Sequence, residues 1–187
     1  MKAGAYRSIC VNRRGYTLIE LMVVTVIVGV LATLAVFGVR KYITASKGSE
    51  AISILTSIKG AEENYRDETF VYLGLGAFTS TDWHPRSTPT TSKMDWGADN
   101  GDASDVMTTL GVQTTSPVYY VYTVVAGRSG DSFPTPPTTQ TSFNFPSSAA
   151  EPFFIAVAKG DLDGNGTFSY VLSHSLSSEL YVEREGE

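Results

Sequence analysis

The sequence predicts an α+β fold in which one long N-terminal helix precedes a small antiparallel sheet. An apolar run over residues 18–39 continues into a helical pattern that ends near Asp67. Short β-branched and aromatic segments follow between Pro117 and Val182. A helical repeat at one end and strands at the other indicate an α+β domain and not alternating helices and strands.

The first half of the predicted helix is apolar on all sides. In residues 18–39 only Glu20, Thr25 and Thr33 are not apolar or glycine. At 1.5 Å per residue the run extends about 33 Å, which is enough to cross a bilayer. The pair Arg40–Lys41 follows at once, and basic residues also precede the run. Because positive charge flanks both ends, charge alone leaves the orientation in a membrane open.

One carboxylate, Glu20, lies inside this apolar run, five residues after Gly15. A charge at the centre of a membrane helix costs about 2.5 to 3.5 kcal/mol, and less near the membrane boundary. Such a residue suggests a function, and the natural partner of a buried carboxylate is a cation. The simpler interpretation is that Glu20 only faces lipid headgroups at the membrane edge.

The second half of the helix is predicted to be amphipathic. Apolar side chains recur three and four residues apart, as on one face of a helix: Ala51, Ile54, Leu55, Ile58, Ala61 and Tyr65. The charged residues of this half fall mostly on other faces: Glu50, Lys59, Glu62, Glu63 and Arg66. The apolar stripe requires a sheet to cover it.

Two loops and four strands are predicted after the helix. The loops cover residues 74–117 and 127–152, where turn-forming residues and prolines accumulate. In the first loop, Trp83 and Trp96 either pin the loop to the domain or contact a ligand or a neighbouring molecule. Residues rich in β-branched and aromatic side chains predict strands at 117–125, 153–158, 167–172 and 180–182.

The turn between the second and third predicted strands carries oxygen-bearing side chains at alternate positions, Asp161, Asp163 and Asn165. This spacing is typical of the start of an EF-hand calcium loop, but Leu172 occupies the position of the bidentate acid that such a loop requires. A complete EF-hand is therefore excluded. Two interpretations stay open: a hairpin turn, to which Asp, Asn and Gly are suited, or a calcium site at the hairpin tip. The sequence suggests no other cofactor.

Residues 14–20, Arg-Gly-Tyr-Thr-Leu-Ile-Glu, resemble the processing site of type IV prepilins and of type II secretion pseudopilins, with a class III prepilin leader before it. The resemblance implies a pilin-like fold and cleavage after Gly15 by a membrane prepilin peptidase. Tyr16 then becomes the mature N-terminus and is N-methylated. It also implies that Glu20 forms an assembly salt bridge with the freed amine of Tyr16 on a neighbouring subunit.

With this resemblance the chain is expected to contain four segments: a cleaved leader at 1–15, a transmembrane and filament-core helix at 16–39, its amphipathic half at 40–68, and a globular sheet domain at 69–187. Cys10, the single cysteine, lies in the leader, so no disulfide is expected in the mature protein. Family members usually carry proline at the position of Phe37, and the absence of proline favours a minor pilin or a pseudopilin over the major subunit.

The resemblance also implies partners and a location. The partners are homologous pilin subunits, the prepilin peptidase and methyltransferase, an inner-membrane assembly platform, and membrane lipid before assembly. The protein is expected in the bacterial inner membrane as a single-pass protein with its C-terminus outside the cytoplasm, and then in an extracellular pilus or a periplasmic pseudopilus. The net charge of −5 argues against nucleic-acid binding, which requires clusters of Lys and Arg.

The sequence offers no case for catalysis, because it contains no Gly-x-Ser-x-Gly, no phosphate loop and no nucleophile–base pair. The function predicted from the sequence is thus a structural filament subunit. One alternative is a type II secretion pseudopilin. Another is a membrane-anchored binding module that never polymerises and that binds either with or without calcium.

Overall fold

The computed structural model describes residues 15–98, 101–138 and 145–184. The described residues form two helices and four strands, in chain order α1 (Leu18–Thr69), α2 (Asp102–Thr109), β1 (Val121–Gly127), β2 (Phe153–Gly160), β3 (Ser169–His174) and β4 (Tyr181–Glu183). The predicted α+β class is confirmed. The chain separates into two compact units, Met1–Arg40 and Lys41–Glu187. Most of the predicted leader, residues 1–14 with Cys10, lies outside the described residues.

In the first unit, the described residues are the non-helical residues 15–17 and the start of helix α1, and their side chains are exposed throughout. The large apolar side chains there are at least half exposed, for example 59% at Leu31 and 75% at Phe37. The helix is long and apolar enough to cross a membrane. An apolar helix with no cover is not stable in water, so this segment requires lipid or other protein around it.

In the second unit, helix α1 packs against the sheet through the predicted apolar stripe. Ala51, Leu55 and Ile58 are fully buried there, and they share one core with side chains from the facing strands, such as Tyr122 and Phe154. The spacing of four and three residues keeps these side chains on one face of the helix. This part of the prediction is confirmed.

The sheet is antiparallel throughout, with its strands in the order β1-β2-β3-β4. Val121 of β1 pairs with Lys159 of β2, Ile155 of β2 pairs with His174 of β3, and Tyr170 of β3 pairs with Glu183 of β4. Strand β2 is buried along its whole length. It shows no alternation of polar and apolar residues because both of its faces are covered.

One face of the sheet is covered by helix α1 together with α2 and Trp96, and the other face is covered by loop residues. The second apolar cluster includes Trp83, Met94 and Ala149 from the loops, with Phe153 and Leu172 from the strands.

Both loop tryptophans are buried, at 2% exposure for Trp83 and 7% for Trp96. Lys159 places its ammonium 4.2 Å from the centre of the Trp83 ring, and the indole of Trp83 donates to the carbonyl of Thr79 at 3.0 Å. The interpretation that these tryptophans pin their loop is confirmed, and the alternative of exposed contact residues is wrong.

The structure differs from the sequence prediction in the segment 74–117, where helix α2 interrupts the predicted loop. Ala103, Val106 and Met107 bury the apolar face of α2. Asp102 and Asp105 in its first turn are favourable near the positive end of the helix dipole. The intrinsic helix propensity of eight residues is insufficient to form a stable helix. Helix α2 therefore forms because it packs against the domain.

The start of β1 also differs from the prediction. The strand begins at Val121 and not at Pro117, because Val118 pairs in an isolated bridge with Met94 of the preceding loop. Two further isolated bridges, Leu75 with Val125 and His84 with Tyr122, attach the same loop along β1. The loop therefore borders one edge of the sheet.

Candidate functional site

The described chain begins with three non-helical residues, Gly15–Thr17, and α1 starts at Leu18. Thr17 caps this start. Its amide and its hydroxyl both donate to Oε2 of Glu20, at 2.8 and 2.6 Å, and the amide of Glu20 donates to the hydroxyl of Thr17 at 3.3 Å. This reciprocal arrangement is a capping box, in which two amides at the helix start find side-chain acceptors.

The cap engages one oxygen of the Glu20 carboxylate and leaves the other available. Within the described residues, no hydrogen bond to Oε1 of Glu20 is formed. The neighbouring side chains are exposed, with 84% of Tyr16 and 77% of Leu18 accessible. An ionised carboxylate accepts several hydrogen bonds, so Glu20 can cap its own helix and still accept a bond from a cation outside the chain.

The sequence prediction missed Thr17. The signal was present, because Thr17 and Glu20 are separated by the three positions of a capping box and stand immediately before an apolar run. Among the predicted site residues, Tyr16 and Glu20 lie near the same helix start, but the hydrogen bonds that the Glu20 carboxylate accepts come from Thr17.

Gly15 has no structural reason to be glycine. A Cβ atom built on it would meet no atom within 4 Å, and its φ is not in the left-handed region. By contrast, a Cβ on Gly74 would lie 2.6 Å from the amide nitrogen of Ala126, so glycine is required there for packing. The glycine at position 15 is thus unexplained by folding.

The turn between β2 and β3 is built from hydrogen bonds of its own side chains. Asp161 Oδ1 accepts from the amide of Gly164 at 2.8 Å, and Asp163 Oδ1 accepts from the amide of Asn165 at 3.1 Å. Asn165 Nδ2 donates to Asp163 Oδ2 at 2.7 Å. Gly164 and Gly166 both have positive φ, as such turns require.

These bonds account for Asp161, Asp163 and Asn165 as turn residues. In the described part of the chain, His, Cys, Asp and Glu side chains form no group of three or more that could hold a metal. These bonds support the hairpin-turn interpretation, and the calcium alternative stays untested.

Glu62 is a buried carboxylate that the sequence placed among the polar positions of α1. It is fully buried, and its Oε2 accepts a hydrogen bond from the amide of Leu73 at 3.0 Å. Its Oε1 has no hydrogen-bond partner in the described residues. Burial raises the pKa of Glu62 to about 8; the Leu73 bond lowers the pKa, and the adjacent carboxylate of Glu63 raises it. The prediction for this position was wrong because Glu62 lies one helical turn after Ile58, on the buried stripe.

Comparison with known proteins finds a known sequence motif that includes the start of α1. The family described as the prokaryotic N-terminal methylation motif matches residues 10–36. The chain is 38% identical over 60 residues to the fimbrial protein EcpC of Eikenella corrodens. This match covers 32% of this chain and 39% of that protein. It is 42% identical over 57 residues to the type IV major pilin protein PilA of Myxococcus xanthus, covering 30% and 26% of the two chains. It is 39% identical over 56 residues to the type IV major fimbrial protein FimA of Dichelobacter nodosus, covering 29% and 35%.

The matches therefore span about two fifths or less of these relatives. No solved structure matches this chain. The relatives are named as pilins and fimbrial proteins and not as enzymes, in agreement with the absence of a catalytic motif in the sequence. The predicted resemblance is confirmed: this chain carries the prokaryotic N-terminal methylation motif, is similar to type IV pilins over about a third of its length, and has a pilin-like α+β fold.

Proposed function

We propose that this protein is a structural subunit of a type IV pilus or a related filament, assembled through helix α1. The observation that carries the proposal is the coincidence of two features. The methylation motif matches residues 10–36, and the part of α1 within that match exposes apolar side chains that no other described residue covers. A filament in which such helices bundle supplies that cover, as a bilayer does before assembly.

The processing step acts at Gly15 and Tyr16. A prepilin peptidase removes residues 1–15, and the new amine of Tyr16 is N-methylated. Gly15 supports this proposal because it stands in an unhindered, non-helical segment and has no packing role. An extended and accessible segment is what a peptidase needs in order to bind the bond that it cleaves.

The assembly step pairs Glu20 with the methylated amine of Tyr16 on a neighbouring subunit. In the apolar environment of a helix bundle, the pair offsets the desolvation of both charges. The capping box supports this role because it holds the carboxylate at the helix start through Oε2 while Oε1 stays available. Because each subunit supplies one acid and one amine, the pair also fixes the axial register between neighbours.

The location follows from the same steps. The subunit is held in the bacterial inner membrane by residues 16–39, with its C-terminus outside the cytoplasm. An assembly platform then extracts it from the lipid into an extracellular pilus or a periplasmic pseudopilus. Residues 40–68 connect this helix segment to the sheet domain at 69–187, which forms the outside of the filament.

We further propose that the subunit is a minor pilin. Phe37 stands where family members usually carry proline, and it is followed by Gly38. A type II secretion pseudopilin is the closest alternative because it shares the same processing site.

Mass spectrometry of the full chain, purified from membranes of a host with its prepilin peptidase, tests the proposal. We expect a mature mass that begins at Tyr16 and includes one added methyl group. The matched control is a Gly15→Leu variant, which should keep the leader and the unmethylated mass. An intact leader on the wild-type chain would contradict the proposal and would favour a membrane-anchored binding module.

A further inference from the structure

The chain leaves helix α1 through a short non-helical segment, residues 70–76, which we call the exit segment. Its first residue, Phe70, has φ 64°, in the left-handed region, and is 82% exposed. Glycine is the usual residue in this conformation after a helix, because a bulky side chain is strained there. The exposed ring of Phe70 gains little from packing. The exit segment is therefore held in place by contacts further along it.

Helix α1 holds the exit segment through two sets of hydrogen bonds. The amide of Leu73 donates to Oε2 of Glu62 at 3.0 Å. The hydroxyl of Tyr72 donates to Oε1 of Glu63 at 3.1 Å and accepts from the guanidinium of Arg66 at 2.7 Å. Two carboxylates on successive positions of one helix thus bind successive residues of the segment.

The exit segment is also attached to the edge of the sheet. The amide of Leu75 donates to the carbonyl of Val124 at 2.9 Å, and the amide of Ala126 donates to the carbonyl of Leu75 at 3.1 Å. The residue bonded to Glu62 therefore lies between an attachment to α1 and an attachment to β1.

The contact made by Glu62 depends on its protonation. Its carboxyl is fully buried, and Oε1 has no hydrogen-bond partner in the described residues. A neutral carboxyl is much less costly to bury than a carboxylate with one oxygen unpaired. Burial accordingly raises the pKa of Glu62 to about 8. The closed segment therefore favours the neutral form, and the ionised form is favoured wherever water can reach it.

We propose that Glu62 is a pH-sensitive latch whose ionisation releases the exit segment from α1 while the rest of the domain stays folded. Release lets water reach the carboxylate and relieves the strained backbone at Phe70. A surface cavity of about 450 Å³, lined in part by Val71, Tyr72 and Gly74, gives water access to the segment. The proposal does not depend on the filament function.

The two ionisation states set the pH range of the latch. In the closed segment Glu62 keeps its proton up to a pH of about 8, and with water around it only up to its ordinary value of 4.5. Between these values opening releases a proton, so the open fraction rises about tenfold per pH unit. Below 4.5 and above 8 the open fraction no longer changes with pH. The segment is thus held most firmly in acid.

Other charged or ionisable side chains border this region from α1, from the exit segment, and from β1 and the turn after it: Glu63, Arg66, Tyr72, Tyr122, Arg128 and Asp131. Of these, Glu63 acts on Glu62 and raises its pKa. Burial raises the pKa of Tyr72 and of Tyr122 above the ordinary value, so both phenols stay neutral in the range of the latch. On β3, burial lowers the pKa of His174, as does the charge of Lys59. All of these groups are retained when Glu62 alone is replaced.

Hydrogen exchange of the full chain in detergent, measured by mass spectrometry from pH 5 to 8, tests the latch. Exchange itself accelerates with pH, so each rate is divided by the rate of Glu62→Gln at the same pH. This variant keeps an acceptor for the amide of Leu73 and cannot ionise. We expect the ratio for a peptide with residues 70–76 to rise about tenfold per pH unit. A ratio that does not change with pH would overturn the proposal.

Urea separates release of the segment from unfolding of the domain. Release exposes little surface, so urea below the unfolding transition should leave the exchange of residues 70–76 unchanged. The same urea should accelerate exchange in β2, which is buried along its length. If urea accelerates both alike, ionised Glu62 destabilises only the whole domain, and the latch is overturned.

The wild type alone decides the matter if Glu62→Gln does not fold. A synthetic peptide of residues 70–76 then supplies the exchange rate of the unprotected segment at each pH. The wild-type rate relative to that of the peptide should rise about tenfold per pH unit, and a constant relative rate would refute the latch. Neither measurement requires a filament, so failure of the latch and failure of the proposed function are distinguishable.

Discussion

Thr17 and Glu20 hold each other at the first turn of α1, with the amide and hydroxyl of Thr17 both donating to Oε2 of Glu20 at 2.8 and 2.6 Å. The carboxylate thus has partners within its own chain before any second copy is present. The cap also fixes where that carboxylate lies, at the N-terminal end of an apolar helix. A neighbouring amine can then bind a charge whose position is already set, so little side-chain entropy is lost on pairing.

Replacement of Glu20 tests whether its negative charge is needed for assembly. Glu20→Ala should leave membrane insertion intact but stop incorporation into filaments. In the bundle, loss of the acid leaves the Tyr16 amine of a neighbour buried without a partner, at a cost of roughly 3 to 5 kcal/mol. Glu20→Gln should fail in the same way, although its amide oxygen still accepts the cap bonds. The measurement is filament recovery after shearing, normalised to the membrane level of the subunit.

Thr17→Ala is the matched control for the cap. It removes the hydroxyl bonds to Glu20 but keeps the negative charge, at a cost of about 1 kcal/mol to the helix start. We expect only a modest reduction in filament recovery. If Thr17→Ala reduces filament recovery as severely as Glu20→Gln does, the role of Glu20 is only to cap the helix. Normal filament recovery for Glu20→Gln would lead to the same conclusion.

Glu62 should make the stability of the domain depend on pH. Its carboxyl has a pKa of about 8 in the folded protein and an ordinary value near 4.5 when unfolded. Between these values the folded state binds more protons, so stability is full below pH 4.5 and falls as the pH rises towards 8. Each pH unit in this window costs about 1.4 kcal/mol, so the total reaches several kcal/mol. Thermal unfolding of the full chain in detergent, from pH 5 to 9, measures the effect.

The control for this prediction is Glu62→Gln, which keeps an acceptor for the amide of Leu73 and cannot ionise. The difference in stability between Glu62→Gln and the wild type should grow with pH in favour of the variant. Parallel pH profiles for the two proteins would mean that Glu62 does not titrate in this range. The comparison cancels contributions from other groups, such as Glu50, whose pKa is also raised by burial.

Trp83 should be a main determinant of the stability of the loop face. It is 2% exposed, packs in the second core and lies under the ammonium of Lys159. Trp83→Ala should lower the free energy of unfolding by roughly 3 to 5 kcal/mol. Leu176→Ala, at a side chain that is 53% exposed, should change it by about 0.5 kcal/mol or less. Urea unfolding of the full chain in detergent compares the two, and similar losses would contradict the pinning role.

The turn at residues 161–166 should depend on its glycine and not on calcium. Gly164 has φ +80°, and a Cβ on it would lie 2.8 Å from Cγ2 of Thr91. Gly164→Ala should therefore destabilise the domain by about 1 kcal/mol or more. The melting temperature should be the same in calcium and in a chelator. A rise with calcium that Asp163→Ala abolishes would instead establish the cation site.

The sequence was sufficient for the long helix and for the presence of four strands after it, because both depend on local sequence patterns. The apolar run at residues 18–39 and the stripe through Ala51, Leu55 and Ile58 can be read without knowledge of their partners. Helix α2 could not be predicted because its stability comes from the burial of Val106 and Met107 against the rest of the domain. A short polar segment carries no local sign of such packing.

The candidate site, like the fold, could be predicted only in part from the sequence. Glu20 and Gly15 stand out because of the apolar run beside them, whereas Thr17 required the capping-box spacing to be recognised. Glu62 was misplaced because a charged residue is normally assigned to the solvent face. The spacing from Ile58 places Glu62 on the buried stripe, but the feature that lets a carboxylate lie there is the hydrogen bond from the amide of Leu73, eleven residues away. Long-range pairing of this kind is not visible in helical periodicity.

The structure of the purified filament, determined by electron cryomicroscopy at side-chain resolution, tests the proposed contact between Tyr16 and Glu20 most directly. We predict that the amine nitrogen of Tyr16 in one subunit lies within about 4 Å of the Glu20 carboxylate of a neighbour, the distance of an ion pair. Two well-separated groups, with Glu20 bound only to Thr17 of its own chain, would contradict the proposed assembly.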